Sequence, residues 1–255
     1  MTFCFTVDDN IRFFKDITKN KVNSIFEHPY LAVYKRLHDK FGVKVQLNLF
    51  YKDDEFDLSS MTADYYDEWV KNADWLKMSF HSEYENVKPY EFSCYDEVYT
   101  DCKKVQDQIV RFASPFALAK TTTIHYCLAT PDGLRAVVDN GVLGLLGLFG
   151  NNDNPRTSYG LDLDVASKIR NGDFVKDGAL TFGAIDIVLN AFSIDDILKT
   201  LNAMRDRQHI NVMIHEQYFY KDYFMYQPEF EDKLYKTLDY LTSNGYKSKF
   251  FEELL

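Results

Sequence analysis

The sequence predicts an α/β fold: a (β/α) barrel with about seven parallel strands, in a single domain covering residues 1–255. Short apolar runs alternate with helical periods along the whole chain, as parallel strands joined by right-handed crossover helices require. The 255 residues are 46% hydrophobic and include 18 Tyr and 21 Phe, enough for one large core. Acidic residues and histidines stand at the C-terminal ends of three of the strands, where barrels collect their chemistry. An open doubly wound sheet is the runner-up. No Gly-rich phosphate loop follows the first strand, so a nucleotide site has no support.

Phe3-Cys4-Phe5-Thr6-Val7 is a short apolar run and reads as a buried strand. It ends on Asp8 and Asp9, which strand alternation would point to opposite sides. Residues 10–24 read as a loop carrying at most a short helix. Pro29 opens a helix at its favoured first position, and Gly42 closes it. Residues 43–51 form a second strand. Residues 62–72 form a helix, and residues 75–80 form a third strand ending on His81. Residues 94–112 form a long helix with Val98, Cys102, Val105 and Ile109 on one face. Residues 121–126 read as a fourth strand, Pro131 opens a helix, and residues 142–149 read as a fifth strand. Residues 150–178 lack a clear period and are expected to be an irregular insertion. Strand character resumes over 179–188. Ser193 caps a helix running to about 208, and residues 211–214 form a strand ending on His215 and Glu216. A last helix covers about 228–243, followed by a short polar tail.

The net charge of -10 argues against nucleic acid and against an anionic membrane surface. No apolar run is long enough to span a bilayer. The four cysteines, Cys4, Cys94, Cys102 and Cys127, show no C-x-x-C spacing and no signal peptide is read at the N-terminus. The expectation is a cytoplasmic protein with reduced thiols.

In a barrel, Asp8 and Asp9, His81 with Glu85, and His215 with Glu216 would share one mouth. His81 and Glu85 are four apart, so a helical turn would place both on one side. With Asp9 they make a facial set of one His and two carboxylates able to hold a divalent ion.

Thr6-Val7-Asp8-Asp9-Asn10, His81-Ser82-Glu83-Tyr84-Glu85 and Val212-Met213-Ile214-His215 together resemble three motifs of the polysaccharide deacetylase family, carbohydrate esterase family four. The resemblance covers most of the chain and implies a distorted (β/α) barrel. It implies that Asp8 is the catalytic base and His215 the catalytic acid, with Asp9 and His81 as metal ligands. Glu85 stands where the family has a second ligand histidine, so the implied ligands are Asp9, His81 and Glu85. The family's arginine, which orients the catalytic aspartate, is replaced by His125, and the motif at Asp186 is not recognisable. The resemblance further implies a divalent metal, zinc first and nickel, cobalt or manganese next, that polarises an acetyl carbonyl and activates a water. A backbone N–H near Tyr126 would meet the oxyanion. His125, Tyr126, Glu216 and Tyr84 are the candidate substrate contacts, with Tyr51, Tyr90, Tyr218, Phe219 and Tyr220 as further aromatics at the mouth. The implied reaction is metal-dependent removal of acetyl groups, N-acetyl first, from a sugar or oligosaccharide. The alternatives are a barrel that binds a saccharide or a protein without hydrolysis, and a metal-dependent hydrolase of another non-peptide C–N bond.

Overall fold

The computed structural model describes residues 1–85, 90–150 and 156–255. Its elements run β1 (Thr2–Asn10), α1 (Arg12–Asn20), α2 (Pro29–Phe41), β2 (Val45–Lys52), α3 (Tyr66–Asn72), β3 (Leu76–Tyr84) and α4 (Tyr95–Phe112). Then come β4 (Thr121–Thr122), α5 (Pro131–Asp139), β5 (Gly144–Gly147), α6 (Leu163–Arg170), β6 (Val175–Asp177), β7 (Leu180–Ala184) and β8 (Ile187–Val188). The chain ends with α7 (Ile194–Ala203), β9 (His209–His215), α8 (Phe230–Ser243) and β10 (Lys247–Ser248).

The expected alternation is present. One sheet has the order β3-β2-β1-β9-β8, all parallel, with β10 beside the start of β1. A second has β4-β5-β7 parallel, with β6 antiparallel at its edge. The two sheets curl onto each other. On one side the Ala119 N–H donates to the Met78 carbonyl at 2.8 Å, and on the other the Asp186 N–H donates to the Asn211 carbonyl at 2.9 Å. The result is a barrel with uneven seams, and the side chains of Gln46, Thr121 and Thr122 bridge the β2, β3 and β4 side of it.

Along the strands, apolar residues such as Phe3, Phe5, Val7, Leu47 and Ile210 alternate with polar ones such as Thr6, Asp8, Gln46, Asn48, Ser79 and Asn211, and both sets are buried. The apolar set packs outward against helices, as Phe5 does on Tyr34 of α2. The polar set fills the lumen and is joined across strands by hydrogen bonds.

Four departures from the sequence expectation have local causes. Residues 12–20, read as a loop with at most a short helix, form the full helix α1, capped by a distant carboxylate, Glu216. The segment 150–178 contains α6 and β6, with Asp162 capping the helix by accepting from the Val165 N–H; residues 151–155 lie outside the described residues. The fourth strand is only Thr121–Thr122, because the chain turns away at His125–Cys127. The polar tail is a plug. Phe251 is 1% exposed in the N-terminal end of the barrel, over Gly144 and Gly183. A Cβ at Gly144 would lie 2.9 Å from its ring. Glu252 meets Lys77 Nζ and the Lys120 N–H, each at 2.5 Å. Among the described residues no helix is long and apolar enough to cross a membrane.

Candidate functional site

At the C-terminal end of the barrel lies a cavity of about 330 Å³ lined by Asp8, Asp9, His81, Glu85, His125, Tyr126, His215 and Gln217 among others. Two irregularities in the sheet build its floor. Between Val7 and Asn10 the register of β1 against β2 slips, and Asp9 adopts φ 64. Between Leu49 and Phe50 the register of β2 against β3 slips, so His81 is the extra residue. Bulges of this kind re-aim side chains. Simple alternation would send Asp8 and Asp9 to opposite faces; the slip and the left-handed Asp9 bring both into one cavity.

Asp9 Oδ1 lies 3.0 Å from His81 Nε2 and 3.5 Å from His125 Nδ1, and the two ring nitrogens are 3.0 Å apart. These three residues form a cluster of metal-ligating atoms with spacing suited to one ion. The outer ring nitrogens fix the tautomers. His81 Nδ1 is 2.5 Å from the Thr123 carbonyl and His125 Nε2 is 3.3 Å from the Glu85 carbonyl. A carbonyl only accepts, so each outer nitrogen carries the hydrogen. In the neutral rings the inner nitrogens then present lone pairs to each other and to Asp9. Such an arrangement draws a positive charge into its centre, and hydrogen bonding of the outer nitrogen is how metal-binding histidines are oriented. Phe50 packs against both rings, at 5.3 Å from His81 and 5.0 Å from His125.

Burial alone would lower His81, but the Asp8 and Asp9 carboxylates outweigh it and raise it, so a proton on Nε2 competes with a cation for the centre of the cluster. Burial alone would raise the Asp9 carboxyl, but the His81 hydrogen bond and the neighbouring imidazoles hold it well below the usual range. Burial and the charge of His81 push His125 down to about 4, which leaves its ring neutral near pH 7. Burial dominates at Asp8 and raises it. Asp8 Oδ1 accepts from Asn48 Nδ2 at 2.6 Å. His215 Nδ1 sits 2.8 Å from Asn190 Oδ1, and its Nε2 faces Asp9 Oδ2 at 4.0 Å. Gln217 Nε2 donates to Asp9 Oδ2 at 2.7 Å.

Asp8, Asp9, His81 and His215 thus converge as the sequence suggested, and His125 joins them in a role the sequence did not assign. In the cluster that could hold an ion, His125 stands beside Asp9 and His81 where Glu85 was expected. His81 to Tyr84 stay in the extended β3 rather than forming a helical turn, and Glu85 comes at its end as an exposed turn residue. Glu85 still lines the cavity, and its carbonyl steadies His125. Tyr126, half exposed at φ 61, lines the mouth, and its carbonyl accepts from Arg156 Nη2 at 3.3 Å. Glu216 does not reach the cavity. It is fully buried, and its carboxylate accepts the N–H groups of Ile11, Arg12 and Phe13 at 2.6, 3.0 and 2.8 Å. Tyr84 also lies off the cavity, its hydroxyl bonded to Asp54. Of the other aromatics expected at the mouth, Tyr218 lines it, while Tyr90 is buried and Phe219 and Tyr220 pack on Tyr30. Asp186 is held by Arg207 and the Asn211 N–H. Asn48, Asn190 and Gln217 were missed, since a lone amide in a strand or loop carries no spacing signal.

No protein-family model and no curated protein matches the sequence. Solved structures do match the fold. A polysaccharide deacetylase candidate from Mycobacterium smegmatis superposes with a TM-score of 0.62 at 11% identity, over 99% of this chain and 88% of that one. A peptidoglycan N-acetylglucosamine deacetylase gives 0.58 at 11% identity, over 100% and 87%. The 4-alpha-glucanotransferase of Thermococcus litoralis gives 0.61 at 14% identity, over 99% of this chain but only 40% of that chain. The fold is therefore that of the deacetylase barrels, and it is shared with a protein named for a different reaction.

Proposed function

We propose that this chain is a metal-dependent hydrolase that removes acetyl groups, N-acetyl first, from a sugar or oligosaccharide. Fold alone does not select this reaction, because the same fold carries a glucanotransferase. The observation that carries the reading is the convergence of Asp9 Oδ1, His81 Nε2 and His125 Nδ1 within 3.0–3.5 Å, with both imidazoles held by carbonyls on their far sides. Retaining glycosyl transfer calls for two carboxylates about 5–5.5 Å apart across the bond. An aspartate flanked by two imidazoles suits a divalent cation such as zinc better than it suits that task. Bound there, the cation would polarise a carbonyl and acidify a water.

The chain's own residues supply the rest. Asp8, ionised, accepts the proton of the attacking water. His215, protonated, donates from Nε2 to the departing amine while Nδ1–H stays on Asn190. The roughly 330 Å³ of the cavity admits one acetamido group and part of its ring, and Tyr126 and Tyr218 stand at its edge. The test is elemental analysis of purified protein beside hydrolysis of a panel of acetylated sugars and cyclic amides. One divalent ion per chain, with acetate released from the sugars, supports the reading. Loss of His215 should lower kcat by about 10²–10⁴-fold and leave bound metal unchanged. Bound metal with turnover only of cyclic amides would move the protein to the other C–N hydrolase class. Failure to take up zinc, nickel, cobalt or manganese would leave only the binding role.

A further inference from the structure

We infer that Asn48 is the positioning residue for Asp8, its amide N–H aimed at the carboxylate by a directional hydrogen-bond chain that begins at a main-chain carbonyl. The inference rests on the reading of Asp8 as the proton-accepting base.

The direction of the chain can be deduced from one fixed end. The Thr121 carbonyl can only accept, and Gln46 lies 2.9 Å from it through Nε2. Gln46 Oε1 accepts from Thr121 Oγ1 at 3.1 Å, which is consistent with that orientation. Nε2 of Gln46 therefore has a hydrogen for Asn48, and the Asn48 atom it meets at 2.8 Å must be Oδ1. Ser79 Oγ donates to the same oxygen at 2.6 Å. With Oδ1 committed, Nδ2 is left to point at Asp8 Oδ1, 2.6 Å away. Gln46, Asn48 and Ser79 are each at most 2% exposed, so no solvent competes for these bonds. From Gln46 through Asn48 the donors point toward Asp8, and the carboxylate is held in one orientation as an acceptor.

In the family that the sequence resembles, an arginine orients this aspartate. Its counterpart here is His125, which faces Asp9 instead. Asn48 reaches Asp8 from β2 and performs that task with a neutral donor.

Replacing Gln46 by Glu exchanges one nitrogen for an oxygen two residues from Asn48. It removes the donor to Asn48 Oδ1 and favours reversal of that amide. Gln46→Glu and Asn48→Ala should each lower kcat by about 10²-fold, the scale of a misplaced reacting group, with KM and bound zinc unchanged. Asn48→Ser, which keeps a donor of shorter reach, should recover part of the loss. A second readout needs no turnover. The side-chain amide resonance of Asn48, assigned by its disappearance in Asn48→Ala, should move in Asp8→Ala. Activity within about threefold of wild type in both Gln46→Glu and Asn48→Ala would overturn the inference, as would an amide resonance unmoved by Asp8→Ala. A wild type inactive on every acetylated sugar, but with the resonance shift present, would overturn the hydrolase reading and leave the Asn48–Asp8 coupling standing.

Discussion

His125 is the residue whose role depends most on local backbone. Thr121-Thr122-Thr123-Ile124 is β-branched throughout and reads as a strand that would carry His125 outward in step. The ladder stops at Thr122, and the chain turns through His125–Cys127 with Tyr126 and Cys127 both in the left-handed region. That turn swings the imidazole to Asp9. Neither residue is Gly or Asn, so no sequence signal marked it. Asp9, His81 and His215 were legible because each closes an apolar run at a strand end. The contrast with Glu85 gives a residue-scale prediction. Glu85 touches His125 through its carbonyl, which any side chain keeps. His125→Ala should weaken zinc binding by more than about 100-fold, whereas Glu85→Ala should weaken it by less than about tenfold, the lower end of an outer-shell effect. Competitive titration against a metal-sensitive dye measures both, and equal losses would return Glu85 to the ligand set.

Single elements show how the barrel places its catalytic end. The helix α1 starts at Arg12 without a capping side chain of its own, since Ile11 precedes it. Glu216, just past β9, supplies the cap to three N–H groups at the positive end of the helix dipole. Tyr220 donates to the same carboxylate at 2.8 Å. The bond ties the loop after β1, which follows Asp9, to the loop after β9, which follows His215. From sequence, Glu216 beside His215 looked like a second site residue; its backbone partners are more than two hundred residues away in the chain, and no local pattern reveals them. Glu216→Ala strands three donors, two of them buried and one partly buried, and should cost about 3 kcal/mol. In a chain of this size that lowers Tm by roughly 6–12 °C. Zinc stoichiometry should be unchanged at a temperature where the variant is folded. A drop in Tm below about 2 °C would show that water replaces the carboxylate and that the cap carries little.

Across the whole molecule the strands invert the usual reading of alternation. A strand that alternates apolar and polar residues normally turns its polar side to water. Here β1, β2 and β9 turn theirs into the lumen, where Gln46, Asn48 and Asn211 are buried, and pack the apolar side under helices. The sequence pattern was visible; which side faced inward was set by closure of the barrel, a global property. A polar lumen must be shut at its far end, and the C-terminal turn does this. Removing the Phe251 ring by Phe251→Ala should cost about 3–5 kcal/mol, because Gly144 and Gly183 leave a space shaped for it. The charged rim of the plug adds a pH dependence with a definite sign. Burial alone would raise Glu253, but the Lys44 ammonium at 2.9 Å and the Phe250 N–H outweigh it and hold its carboxyl below the ordinary value of 4.5. A carboxylate held low in the folded state stabilises the fold above its unfolded value and ceases to do so as pH falls through the folded one. The advantage of wild type over Glu253→Gln should therefore be full at pH 6 to 7 and shrink as pH falls below about 4.5, with Phe251→Ala showing no such closing gap. Urea unfolding at pH 7 and at pH 3.5 measures it. A gap between wild type and Glu253→Gln that widens toward acid would mean that Glu253 is not bound to Lys44 when the barrel is closed.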